Sequence, residues 1–135
     1  MKHLLLPLLL LITIITGCDD NKDNVENYSF PILSHTAWDG QLETNVAEYG
    51  NADAAIEFET SSTGSYSFTY DDGTNATGNF TYLVSGQIII FQKTCKELEG
   101  SWTLVDTGNG YMALDKNISS DNLAEITTLT LKQNI

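Results

Sequence analysis

The chain has 135 residues and a formal net charge of −12, with 18 acidic side chains against 6 basic ones, and it contains no arginine. Nucleic-acid partners are bound through basic contacts to phosphate, so this balance argues against them, and it argues equally against direct adsorption to an anionic membrane leaflet. The length suits one domain with one modest core.

Met1-Lys2-His3 is a short basic start, and Leu4 to Ile15 is an apolar run broken only by Pro7 and Thr13. That run is too short to span a bilayer and has the shape of a secretory signal. Ile15-Thr16-Gly17-Cys18 ends it, followed by Asp19-Asp20. A small residue directly before a cysteine resembles the lipobox of bacterial lipoproteins, with Ile15 and Thr16 where that family usually has Leu and Ala or Ser. The resemblance implies that residues 1–17 are removed and that Cys18 is acylated, with palmitate-type chains, as the mature N-terminus. The acidic stretch Cys18 to Asp23 is also similar to the export signal of surface lipoproteins in some Gram-negative phyla, which implies the outer membrane. In other lineages an Asp after the cysteine retains the protein at the inner membrane, facing the periplasm. Lys2 leaves with the signal, so the mature chain is more negative still and the lipid must do the anchoring. Residues 18–30 are polar, acidic and without period and are expected to form a flexible tether, with a single domain over 31–135.

From Leu33 the chain alternates like strands and is punctuated by turns. Strands are expected at Thr36–Glu43, Ala54–Thr60, on both sides of the turn in Ser65–Val84, and at Gln87–Lys93, Ser101–Thr107, Tyr111–Lys116 and Glu125–Gln133. About eight short strands with frequent Gly, Asn and Asp turns predict an all-β fold, either a small antiparallel up-and-down barrel or a β-sandwich. Helical turns would fit only in 44–53 and 118–124.

Ser65–Val84 organises the whole. Tyr66, Phe68, Tyr70, Phe80 and Tyr82 recur with a period of two around Asp71-Asp72-Gly73. A two-residue Asp72-Gly73 turn would face Tyr70 with Asn75 and Phe68 with Thr77, mixing rings with polar side chains. A three-residue loop, Asp71 to Gly73, pairs Tyr70 with Thr74, Phe68 with Ala76 and Tyr66 with Gly78, and puts all the rings on one face. It needs positive φ at its last position, which Gly73 supplies. A one-residue slip would move every ring into water, so the three-residue loop is expected. For the next hairpin, a two-residue Ser85-Gly86 turn would pair Phe80 with Phe91 and Tyr82 with Ile89. It would leave Leu83, Ile88 and Ile90 outward as a partner patch, unless the tether or residues 94–100 cover them.

Leu33, Thr36, Trp38 and Gly40, the central hairpin, Gly100-Ser101-Trp102 and the late strand bearing Tyr111, Met112 and Leu114 resemble the small lipocalin-like lipoproteins of the calycin type. Lipocalins place Gly-x-Trp on the first strand and an arginine over it. Here the first strand has Trp-x-Gly, the Gly-x-Trp comes late, and arginine is absent. The resemblance implies a closed barrel, and alternation would then make Trp38, Tyr66, Phe68, Tyr70, Phe80, Tyr82, Phe91 and Trp102 its candidate core- or ligand-lining residues.

Chemistry is sparse. The mature chain has one histidine, His35, and one thiol besides Cys18, Cys95, too few for a zinc site and unplaced for a nucleophilic pair. Asp115-Lys-Asn117-Ile-Ser119-Ser-Asp121 resembles the start of a calcium loop, but Ser120 stands where a Gly belongs, and a polar connector is expected. No catalytic residue, metal or cofactor is expected. The acids read as solvated turn and surface groups. Two functions remain: a lipid-anchored, non-catalytic interaction domain with a filled core, or a lipocalin-like binder of a small apolar ligand. The crowding of rings inside so small a barrel favours the first.

Overall fold

A computed structural model describes residues 28–117 and 125–135. Eight strands, β1 (Thr36–Thr44), β2 (Ala52–Phe58), β3 (Thr63–Tyr70), β4 (Asn75–Ser85), β5 (Ile88–Gln92), β6 (Gly100–Gly108), β7 (Tyr111–Asn117) and β8 (Ile126–Gln133), pair antiparallel in chain order. β1 also pairs with β8, from Trp38↔Gln133 to Thr44↔Thr127, and closes the sheet into a barrel rather than a sandwich. Closure leaves the sheet no free edge. No helix occurs among the described residues; in 44–53 the chain makes only a turn, with the Tyr49 amide donating to the Val46 carbonyl. Residues 118–124 lie outside the described part, and so do most of the Asp115–Asp121 stretch and Cys18.

Alternation decides which side chains enter the barrel. On β2, Ala52, Ala54, Ile56 and Phe58 are buried while Asp53 and Glu57 are exposed. The central hairpin has the expected three-residue loop: the Tyr70 amide donates to the Thr74 carbonyl at 2.8 Å, the Gly73 amide returns to the Tyr70 carbonyl, and Gly73 takes φ 91°. Phe68 faces Ala76 and Tyr66 faces Gly78, so the rings share the inner face. Asp72 secures the loop by accepting from both the Thr74 amide and its hydroxyl, and those bonds hold its carboxyl below the usual carboxylate range.

The β4–β5 register differs from the expectation. Ser85 pairs with Ile88, so the two turn residues are Gly86 and Gln87, and Tyr82 faces Phe91 while Val84 faces Ile89. Gly86 takes φ 61° at the first turn position, where a type II′ turn wants glycine. The turn therefore selects a register two residues from the expected one. A two-residue shift preserves side-chain parity, so Phe91 still points in, and Leu83 and Ile88 still point out.

The interior is a single apolar cluster. Phe58 meets Phe80 and Tyr82 edge-on at 5.7 and 4.9 Å between centroids, Phe80 meets Phe91 at 5.0 Å, and Phe91 meets Trp102 at 6.5 Å. Edge-to-face rings at these separations add to the area they bury. Trp38, Phe68, Phe80, Phe91 and Trp102 are all essentially fully buried. Tyr66 and Tyr70 are half-buried and pack against this cluster.

Candidate functional site

Up-and-down order sends alternate loops to opposite ends. The chain enters β1 at one end, which also carries the β2–β3, β4–β5 and β6–β7 turns; residues 45–51, 71–73 and 93–99 gather at the other. The two ends are closed by different devices.

At the entry end, residues 28–35 cross the barrel. Leu33 is buried in the core, and Tyr28 and Phe30 pack against it. The His35 amide donates to the Phe58 carbonyl at 2.7 Å, with His35 at φ 63°, and Leu33 accepts from the Thr36 amide. Thr36 in turn accepts from the Trp38 indole at 2.7 Å. The Tyr82 hydroxyl, which needs a partner at this depth, donates to the Thr60 carbonyl at 2.6 Å.

At the opposite end, residues 93–99 fold into the mouth as a plug. Leu98 is fully buried, and its carbonyl accepts from the Trp102 indole at 2.8 Å. The Leu98 and Glu99 amides both return to the Cys95 carbonyl, which rounds the segment into a compact turn. Lys116, on β7 next in register after Met112 and Leu114, points inward and is buried. Its ammonium donates to the carbonyls of Glu97 at 2.7 Å, Glu99 at 2.8 Å and Lys96 at 3.2 Å. It also lies 5.0 Å from the centre of the Trp102 ring and 6.0 Å from that of Tyr49. Burial pulls its pKa down to about 8, against the opposing pull of Cys95, Glu97 and Glu99. The Tyr70 hydroxyl donates to Glu97 at 2.8 Å, and burial, then that carboxylate, raises its pKa. The Tyr66 phenol is pushed up to about 12, by burial first and then by Cys95 beside it.

Lys116 was not singled out from the sequence, although parity with Met112 and Leu114 places it inside. His35 lies at the entry end and Cys95 in the plug, so the fold keeps them apart. Among the described residues no group of three or more His, Cys, Asp or Glu is placed to hold a metal ion. Asp115 accepts from the Thr128 hydroxyl at 2.9 Å across the β7–β8 pair.

Three clefts open at the surface of the described residues. One of about 520 Å³ sits beside the plug between Glu48, Tyr49, Tyr70, Asp71 and Glu97. A second, of about 280 Å³, runs over the outer face of β1–β3, and a third, of about 270 Å³, lies at the entry end between Phe30, Ile32 and Val84. On the outer wall Leu83 is 60% exposed and Ile88 39%, with Ile90 half-buried beside them; neither the plug nor residues 28–35 cover Leu83 and Ile88. No known protein family, curated protein or solved structure matches the chain.

Proposed function

We propose that the protein is a small lipocalin-like surface lipoprotein, anchored in the outer membrane through acylated Cys18, and that it works as a non-catalytic interaction domain. The eight-stranded closed barrel is compatible with the lipocalin architecture. The observation that carries the reading is that the chain's own side chains occupy the place where a lipocalin holds its ligand. Leu33 closes one end, Leu98 and Lys116 close the other, and buried rings fill the space between. Binding a small molecule needs a concavity of roughly 300 Å³ or more, and the interior offers packed aromatic rings instead. Recognition then falls to the outside: the loops around the plug, which point away from the tether, and the barrel walls.

Native mass spectrometry of the full-length protein, purified from a Gram-negative host, tests both halves. The expected result is a mature chain beginning at acylated Cys18 with no stoichiometric small molecule. A chain beginning elsewhere or carrying a free Cys18 thiol overturns the anchoring. A co-purified apolar ligand at one per chain overturns the filled-core reading in favour of a small-ligand binder. Fractionation of the host's membranes checks the outer-membrane assignment, and recovery with the inner membrane corrects it.

A further inference from the structure

The large apolar side chains that remain in solvent are unevenly distributed. Among the described residues, Ile32, Leu83, Val84, Ile88, Val105 and Ile135 all lie at or toward the entry end, while Ile126 stands at the plugged end. Ile32 is 84% exposed just before the chain turns into the barrel. Val84 and Ile88 flank the β4–β5 turn, with Leu83 a step behind on the outer wall. Val105 is set out by the irregularity between Leu104 and Asp106 on the neighbouring strand. The apolar cleft of about 270 Å³ between Phe30, Ile32 and Val84 opens at the same end. Exposed apolar groups gathered on one pole mark a surface that meets something less polar than water.

Acidic side chains stand at both poles. Glu48, Asp71, Asp72, Glu97 and Glu99 crowd the plugged end, with Lys93 and Lys96 among them. The entry end carries Asp39, Glu57, Glu59 and Asp106, with Lys132 and His35 beside them. Charge therefore does not choose between the poles, and the apolar rim is what sets the entry end apart.

We infer that the entry end is a membrane-seating surface, with the rim of Ile32, Leu83, Val84 and Ile88 resting in the lipid headgroup region. The inference rests on the proposed acylation of Cys18. About ten residues separate Cys18 from Tyr28, a stretch that spans at most about 35 Å, and the chain they lead into enters the barrel at this pole. The anchor thus holds the apolar rim within reach of the bilayer. Burial of this apolar rim in the headgroup region adds to the hold of the acyl chains on Cys18.

The test uses the full-length, lipidated protein in phosphatidylcholine vesicles, with the labelled positions in a Cys95→Ser background. An environment-sensitive fluorophore is attached in turn to Ile32→Cys, Leu83→Cys and, at the plugged end, Glu48→Cys. With mass spectrometry confirming acylated Cys18, the probes at Ile32 and Leu83 are expected to shift to the blue and be quenched about twofold by lipid-borne quencher, while the probe at Glu48 stays aqueous. Two exposed positions keep the test valid if one variant misfolds. Probes at Ile32 and Leu83 as aqueous as at Glu48, on acylated protein, overturn the seating and leave the anchoring intact. Shielding of Leu83 that appears only at high protein-to-lipid ratio identifies a second copy as the occupant and overturns it too. An unmodified Cys18 removes the anchoring and the seating with it.

Discussion

At the residue scale, Lys116 carries the most consequence. A lysine buried at the end of a strand is tolerated because three carbonyls of the plug receive its protons and two aromatic faces lie beside it. Lys116→Met keeps the aliphatic stem but leaves those carbonyls without that donor, and it should cost about 2 kcal/mol in denaturant unfolding. The same variant should let an alkylating reagent reach Cys95 faster, because the plug that holds Cys95 has lost its fastening; an unchanged rate would separate the plug from the lysine. Burial also sets a pH dependence. The folded Lys116 releases its proton near 8, below the ordinary 10.5 of the unfolded chain, so the unfolded state binds more protons in that window and stability rises with pH. The tyrosines oppose this higher up. Tyr66 ionises near 12 when folded but near 10 when unfolded, and the raised Tyr70 and Tyr82 act in the same direction, so stability falls as pH climbs past 10. Unfolding midpoints should pass through a maximum at about pH 9 to 10, and in Lys116→Met the rising limb should vanish while the falling limb stays.

At the element scale, two glycines act for different reasons. Gly73 has open space around it and needs only its positive φ. Gly73→Ala should therefore cost about 1–2 kcal/mol without altering the register. Gly40 sits on the seam where β1 meets β8, opposite Leu131, and a Cβ there would lie 1.7 Å from the Thr130 carbonyl oxygen. Backbone cannot yield as a side chain can, so Gly40→Ala should cost at least about 3 kcal/mol and loosen closure. Amide exchange on β1 and β8 checks this, with the rest of the barrel as reference. Equal costs for the two variants would mean that the seam can spread.

At the scale of the whole molecule, the core is one interlocking set of rings around Phe58, Phe80 and Phe91. Phe91→Ala should cost about 3–5 kcal/mol and open a dry cavity next to Trp102, able to take a small aromatic guest that the wild type refuses. Thermal shift in the presence of benzene-sized compounds reads this out. Stabilisation of the wild type itself by such a guest would count against a filled barrel.

Much of this was written in the pattern of side chains. Alternation placed Tyr66 through Tyr82 on one face, and Gly73 fixed the loop, because parity and positive φ are local properties of the chain. Eight strands could be counted for the same reason. Parity could not set the β4–β5 register, since a shift of two residues leaves every face unchanged; the Gly86 turn decided it. Nor could the strands alone choose between sandwich and barrel. That choice rests on β1 meeting β8, a contact between opposite ends of the domain, permitted by a glycine whose role appears only when Thr130 lies against it. The plug is the same kind of case. Leu98, Trp102 and Lys116 are ordinary residues in sequence, and only the closed barrel brings a lysine on β7 beneath three carbonyls of a distant loop. Local pattern determined which side chains face inward, and long-range closure decided what they meet there.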